Sequence, residues 1–184
     1  MTKEIILSAD QKSLQVNLDS KIYGTFIETG AGQEVVRHFF RSRMSSRTIA
    51  KSMSAYDKDF SDSIYGKEKD GRYVCQSRLK NMIKKEYRLL ENRLDRKDHK
   101  DKKFFAFANT MTTINHEKTI RGHGWMGIRF QLDAKKEANN VILHVGLNDS
   151  DAKLQQETIG ILGTNLVHAC FFNYNDPKEL LKSL

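Results

Sequence analysis

The stretch Lys21 to Arg41, KIYGTFIETGAGQEVVRHFFR, constrains this chain more than any other, because an extended apolar run meets a glycine turn that opens into an amphipathic segment. Ile22 to Ile27 is apolar or β-branched at most positions and reads as a strand. Gly30 and Gly32 flank Ala31 just after the carboxylate of Glu28. Gln33 and Glu34 then fall in the first turn of a helix that carries Val35, Val36, Phe39 and Phe40 on one face. A strand, a tight turn and a helix N-terminus in sequence leave unpaired N–H groups and a partial positive charge at the turn. Such a place can hold a phosphate, a carboxylate or the edge of a nucleotide. The same Gly-x-Gly also serves as a plain strand-to-helix connection, and both readings stand at this level.

The rest of the chain supplies the elements that would surround this turn. Ser13 to Asn17 has apolar side chains at every second position, which predicts a peripheral strand or hairpin. Thr48 to Met53 reads as a short strand. The Ser- and Asp-rich run that follows it, up to Gly66, reads as an ordered loop, since those side chains compete for the backbone through local hydrogen bonds. Leu79, Ile83, Tyr87, Leu90 and Leu94 recur at intervals of three and four, so Gln76 to Arg96 is a helix, and Asp95 to Lys103 is a charge-dense break. Phe104 to Ile114, Trp125 to Leu132 and Val141 to Leu147 read as three strands joined by modest connections, an antiparallel meander. Ser150 or Asp151 caps a long helix from Ala152 to about Phe172. A short helix, Lys178 to Leu184, closes the chain, and its leucines at 180, 181 and 184 need something to pack on: the domain itself, a second copy or a partner.

Composition bounds the class. The 184 residues suit one well-cored domain, and 39% hydrophobic against 29% charged is polar but not disordered. No apolar run is long enough to cross a membrane, and Glu4, Asp10 and Lys12 interrupt anything like a secretory signal. Cys75 and Cys170 lie far apart with no CxxC spacing, so cytoplasmic thiols are the simplest account. The formal charge of +8 is uneven: Arg78 to Lys103 holds eleven Lys or Arg against five Asp or Glu. Such a run could meet nucleic acid or an acidic partner, or only solvent, because Glu86, Glu91, Asp95, Asp98 and Asp101 are mixed into it.

The chemistry-bearing residues narrow the function without naming it. A dinucleotide-binding turn wants a third glycine, where this chain has Val35. Glu28, Gly30 and Gly32 are similar to the first motif of S-adenosylmethionine-dependent methyltransferases, but the meander in the second half breaks the strand and helix alternation of that fold. The six histidines form no HExxH pair and no ligand-spaced cluster, so no metal site is expected. His123, between Gly122 and Gly124 and beside Arg121, is the accessible histidine and a catalytic candidate. His144 lies within an apolar strand and reads as a core histidine. No Ser-His-Asp arrangement and no GxSxG elbow is present.

Four blocks, KIYGTFIETGAGQEVVRHFF, TIAKSMSAYDKDFSDSIYG, HGWMGIRFQ and LQQETIGILGTNL, together resemble an uncharacterised bacterial family with the pattern GTFxExGAGQEV, TIAKxxSAYD and GWMGxRFQ in this order. The resemblance runs from about Leu14 onward. Members of that family are usually longer, so the resemblance implies that this chain matches their N-terminal part. They carry labels such as nicotinamide or nicotinate mononucleotide adenylyltransferase, or TonB-dependent receptor. An adenylyltransferase would show a His/Thr-x-Gly-His motif after the first strand, whereas this chain has Arg121-Gly122-His123 far from it. A receptor barrel needs many more strands than this length provides.

The sequence thus predicts an α/β domain over residues 1–184, with a mixed sheet, an antiparallel meander in its second half and about three main helices. Its expected function is binding of a nucleotide-like or phosphorylated small ligand at the 28–34 loop, with a transferase as one form of it. No cofactor is indicated. Gly30, Ala31, Gly32, Gln33 and Glu34 would hold the ligand, with Lys51, Ser54, Tyr56 and Arg129 assisting. Glu28 or Asp57 would act as base, with His123 as a further catalytic candidate. The alternative from a different class is a non-catalytic basic module that binds nucleic acid or protein through residues 78–103 and the final helix.

Overall fold

The computed structural model describes residues 6–94 and 97–184. Ser8 opens the first helix, α1 (Ala9–Leu18), through a capping box in which its hydroxyl accepts from the Gln11 N–H and the Gln11 side chain accepts from the Ser8 N–H. The expected strand at Ser13 to Asn17 is therefore helical. Lys12, Ser13, Val16 and Asn17 face inward, and because most of them are polar, the helical face is hidden from hydrophobic patterning. Strand β1 (Ile22–Gly30) leads through the glycine turn into α2 (Glu34–Arg41). A 3-10 turn (Ser45–Arg47) and β2 (Ile49–Ser54) follow. Asp57 then accepts the Phe60 N–H and caps α3 (Lys58–Tyr65), so the expected loop is in part a helix. The remaining elements are α4 (Gln76–Arg93), β3 (Lys103–Thr112), β4 (His123–Phe130), β5 (Asn139–Gly146), α5 (Ala152–Phe172) and α6 (Pro177–Lys182). The expected extension of α4 through Asp95 to Arg96 lies outside the described residues.

The five strands form one mixed sheet in the order β2-β1-β3-β4-β5. β1 is parallel to both β2 and β3, and β3, β4 and β5 make the antiparallel meander expected from the sequence. Helices α1, α2 and α5 cover one face, where Phe26 packs against the rings of Phe39, Phe105 and Phe107 at centroid distances of 4.7 to 5.7 Å. Each such buried side chain contributes roughly 1.5–3 kcal/mol by leaving water. Phe40, expected on the same helical face, is half exposed near the end of α2. Helices α3 and α4 cover the other face, with Leu79, Met82 and Ile83 against Ile27 and Ala108. Arg78, fully buried at the start of α4, ties the two helices together by donating to the Ser61 carbonyl and the Asp62 carboxylate.

Two glycines of α5 set how closely it approaches the first face: a Cβ at Gly160 would press on Glu34, and one at Gly163 on Val35. α6 folds back on α5, and its Asp176 cap is followed by Pro177 at the first helical position. Leu180 and Leu184 rest against the main core, whereas Leu181 is exposed. No helix among the described residues is long and apolar enough to cross a membrane.

Candidate functional site

The connection from β1 to β2 runs through α2 on one face, and the connection from β2 to β3 runs through α3 and α4 on the other. The first path leaves the carboxyl end of β1 and the second leaves that of β2 and crosses to the far side of β1, so the strand order reverses between β1 and β3, and the space outside the carboxyl ends at such a switch point is where open α/β sheets hold ligands. Glu28, Ala31 and Gly32 lie at that point.

Side chains alternate along β1, so Glu28 shares the α2 face with Ile22 and Phe26. Its carboxyl is 1% exposed, lies under the first turn of α2 and accepts the Val36 N–H. Burial pushes it up to about 8, although the helix N–H favours the charged form; the neighbouring Glu34 adds to the rise. Glu28 is thus mostly a neutral acid at pH 7, able to donate as well as accept, and its Oε1 has no partner. Asn109 on β3 stands in register beside it. The Asn109 Nδ2 donates to the Gly32 carbonyl at 3.2 Å, while Oδ1 is buried without a partner. Two buried oxygens without a hydrogen-bond partner therefore belong to paired positions of β1 and β3. Buried polar atoms are nearly always paired, so an unpaired couple marks either strain or a missing partner.

The turn itself is held from three sides. Gly30 has φ +77°, in the region that disfavours a side chain, and Ala31 extends the β1–β3 ladder by donating to the Met111 carbonyl at 3.0 Å. A Cβ at Gly32 would land inside the Asn109 amide, so the second glycine is required by close approach rather than by conformation. Gln33 reaches back with Nε2 to the Gly30 carbonyl and to Ser54 Oγ at 3.1 Å, clasping the turn to the end of β2. The N–H groups of Gly32, Gln33 and Glu34 have no acceptor among the described residues.

The structure gathers only part of the set expected from sequence. Glu28, Gly30, Ala31, Gly32, Gln33, Glu34 and Ser54 come together, and the Ala55 N–H donates to the Glu28 carbonyl at 2.8 Å, which brings Tyr56 and Asp57 to the same end of the sheet. Tyr56 is well exposed, and Asp57 is engaged as the cap of α3. Lys51 points to the other face, where its ammonium pairs with the Glu86 carboxylate of α4. Arg129 is paired in β4 with Ala106, and its guanidinium lies 5.0 Å from the centre of the Tyr87 ring, again on the α4 face. Neither cation reaches the turn. His123 begins β4 on the side of Trp125, and its ring lies 6.2 Å from that of His144. His144 is exposed rather than in the core, because β5 is an edge strand, and it stacks on Trp125 at 4.4 Å. Asn109 was not singled out by sequence reasoning, yet an amide amid the apolar run FFAFANTM was the available signal.

Two cations of the basic stretch 78–103 are engaged within the fold. Arg78 is buried in its clasp and Lys103 pairs with Asp19 at 3.0 Å. Lys84, Lys85 and Arg88 line a cleft of about 480 Å³ between α3 and α4. Asp95 and Arg96 lie outside the described residues. Among the described residues, no group of three His, Cys, Asp or Glu gathers at metal-binding distance.

No family model matches the chain, and no curated protein matches it. Among solved structures it is similar to the competence/damage inducible protein CihA of Agrobacterium tumefaciens, at 13% identity and a TM-score of 0.62 over 90% of this chain and 98% of that one. It is similar to a competence-damaged protein (CinA) superfamily protein of Enterobacter cloacae, at 11% identity and a TM-score of 0.59 over 92% and 96% of the two chains. A CinA superfamily protein of Escherichia coli matches at 10% identity with a TM-score of 0.51, over 96% and 91%. At these identities the likeness establishes a shared fold, the α/β architecture of the CinA superfamily structures.

Proposed function

We propose that this chain binds a nucleotide-like or phosphorylated small molecule at the carboxyl ends of β1 and β3. The observation that carries the reading is Glu28: a buried carboxyl held up to about 8, with an unpartnered oxygen, beside the orphaned Asn109 amide oxygen and under the N-terminus of α2. The N–H groups of Gly32, Gln33 and Glu34 take the anionic end of the ligand. Glu28, neutral at pH 7, donates to a ligand carbonyl or accepts from a hydroxyl or amino group, and Asn109 Oδ1 accepts from a second donor. A carboxyl that titrates near 8 also suits a general base, so transferase chemistry would run through Glu28. Asp57 and Tyr56 stand at the same end of the sheet and bound the ligand on the β2 side.

The test is a thermal-shift screen with nucleotides, S-adenosylmethionine and phosphosugars. A ligand at about 100 times its dissociation constant adds about 2.7 kcal/mol of stability. Ala31→Asp, which places a carboxylate at the partly exposed turn without touching the core, removes the shift. A screen in which none of these compounds raises the melting temperature, or one in which Ala31→Asp leaves a shift intact, overturns the reading.

A further inference from the structure

Lys51, displaced from the turn, takes part in a second arrangement. On the α4 face, Glu86 is 2% exposed and both its carboxylate oxygens are satisfied, one by the Lys51 ammonium and the other by the Tyr65 hydroxyl at 3.0 Å. Above this pair lies a cleft of about 360 Å³ between β1, β2 and α4. Its walls are apolar, from Tyr23, Leu89 and Leu94, and its open side carries Lys51, 42% exposed, and Arg93. Lys102 rests over the Tyr23 ring at 5.6 Å.

Charge decides what fits. Glu86 is the one carboxylate lining the cleft, and Lys51 already balances it. Arg93 adds a positive charge that no carboxylate among the described residues meets, and the Lys51 ammonium has three donors of which Glu86 takes one. A guanidinium and an ammonium over an apolar pocket recognise a carboxylate through charge-assisted hydrogen bonds while the walls cover its hydrocarbon. We infer that this cleft is a binding site for a small carboxylate with an aromatic or branched apolar body, its headgroup between Lys51 and Arg93 and its body against Leu89 and Tyr23. The site is separate from the turn at Gly30, because Lys51 and Glu86 lie on the opposite face of the sheet from Glu28.

The probe is 3-phenylpropionate, compared with the neutral 3-phenylpropanol, with binding followed by the amide NMR shifts of Thr25, Ala50 and Leu89. The acid saturates these shifts and binds about tenfold more tightly than the alcohol, a difference of about 1.4 kcal/mol. Arg93→Gln, at an exposed position, removes the preference for the acid, and Leu89→Trp, which fills the cleft, abolishes binding of both. Glu28→Gln leaves the titration unchanged, so failure at the glycine turn and failure here are read separately. Equal binding of acid and alcohol, shifts that map away from these residues, an Arg93→Gln protein that keeps the preference, or no saturation at millimolar concentration would each overturn the inference.

Discussion

Two buried glutamates occupy opposite faces of the same sheet, and they are solved in opposite ways. Glu86 keeps its charge company: the Lys51 ammonium and the Tyr65 hydroxyl occupy its two oxygens. Glu28 has one backbone N–H and an oxygen with nothing to bond, and burial pushes it up to about 8. A buried charge is tolerated when it is paired and is neutralised when it is not. The difference teaches where the fold has spent polar groups on a buried carboxyl and where it has not: both oxygens of Glu86 are met on the α4 face, and Glu28 on the α2 face keeps one that is not.

The largest expected effect comes from titrating Glu28. In the unfolded chain its carboxyl ionises near the ordinary 4.5, whereas in the folded protein it holds its proton up to about 8. Its contribution to stability is fully present below pH 4.5 and is lost as the pH rises to 8, by about 3–5 kcal/mol. His168 works against it. Burial, with Lys12 nearby, lowers its imidazole to about 4 from 6.5, so its contribution is present above 6.5 and is lost as the pH falls towards 4. Between pH 4.5 and 6.5 the two slopes oppose, and denaturant titrations of the wild type should be nearly flat there and fall above it. Glu28→Gln, an amide of the same shape, removes the alkaline loss and exposes the His168 slope. A wild-type stability that holds constant from pH 6.5 to 8.5 would show that the two glutamates are not so different after all.

Glu86→Ala ranks next. It strips the acceptor from Tyr65, whose phenol burial already pushes upward, and leaves Lys51 facing an apolar pocket. The expected loss is about 2–4 kcal/mol in urea unfolding. A loss below about 0.5 kcal/mol would remove the network from the account. Lys51→Met is the mildest: the lysine is part exposed, solvent screens its pair, and the cost is about 1 kcal/mol. If Lys51→Met cost as much as Glu86→Ala, the ammonium rather than the phenol would be the main partner of Glu86.

Much of the fold was legible in the chain. The strand, turn and helix at Lys21 to Arg41, the α4 heptad-like spacing and the meander all follow from patterns within a short window, where local physics and final structure agree. The misses share a cause. The inward face of α1 is built from Lys12, Ser13 and Asn17, whose burial depends on partners such as the Phe39 carbonyl for Asn17, and no hydrophobic period reports that. Asp57 was legible as a residue that hydrogen-bonds the local backbone, and the same property makes it the cap of α3. At the site, the turn is readable because glycine advertises close approach, but the strand neighbour of Glu28 lies about eighty residues away on β3 and only the register of two parallel strands puts Asn109 beside it. Lys51 and Arg129 fall on the α4 face for the same reason: face and distance along a strand are settled by pairing, not by composition.

The mixed sheet also has a consequence in time. β3, β4 and β5 are neighbours in sequence and can zip by closing short loops, whereas β1 meets β3 only after a long crossover through β2, α3 and α4. Closing such a loop costs entropy before its contacts return anything, so parallel pairing is the slow step of a chain like this. The meander should therefore gain amide protection first in pulse-labelled refolding, and the glycine turn, stitched to both β2 and β3, last. The glycine turn is then the final part of the molecule to form, so a ligand that binds there would act on the protein only once every other strand is in place.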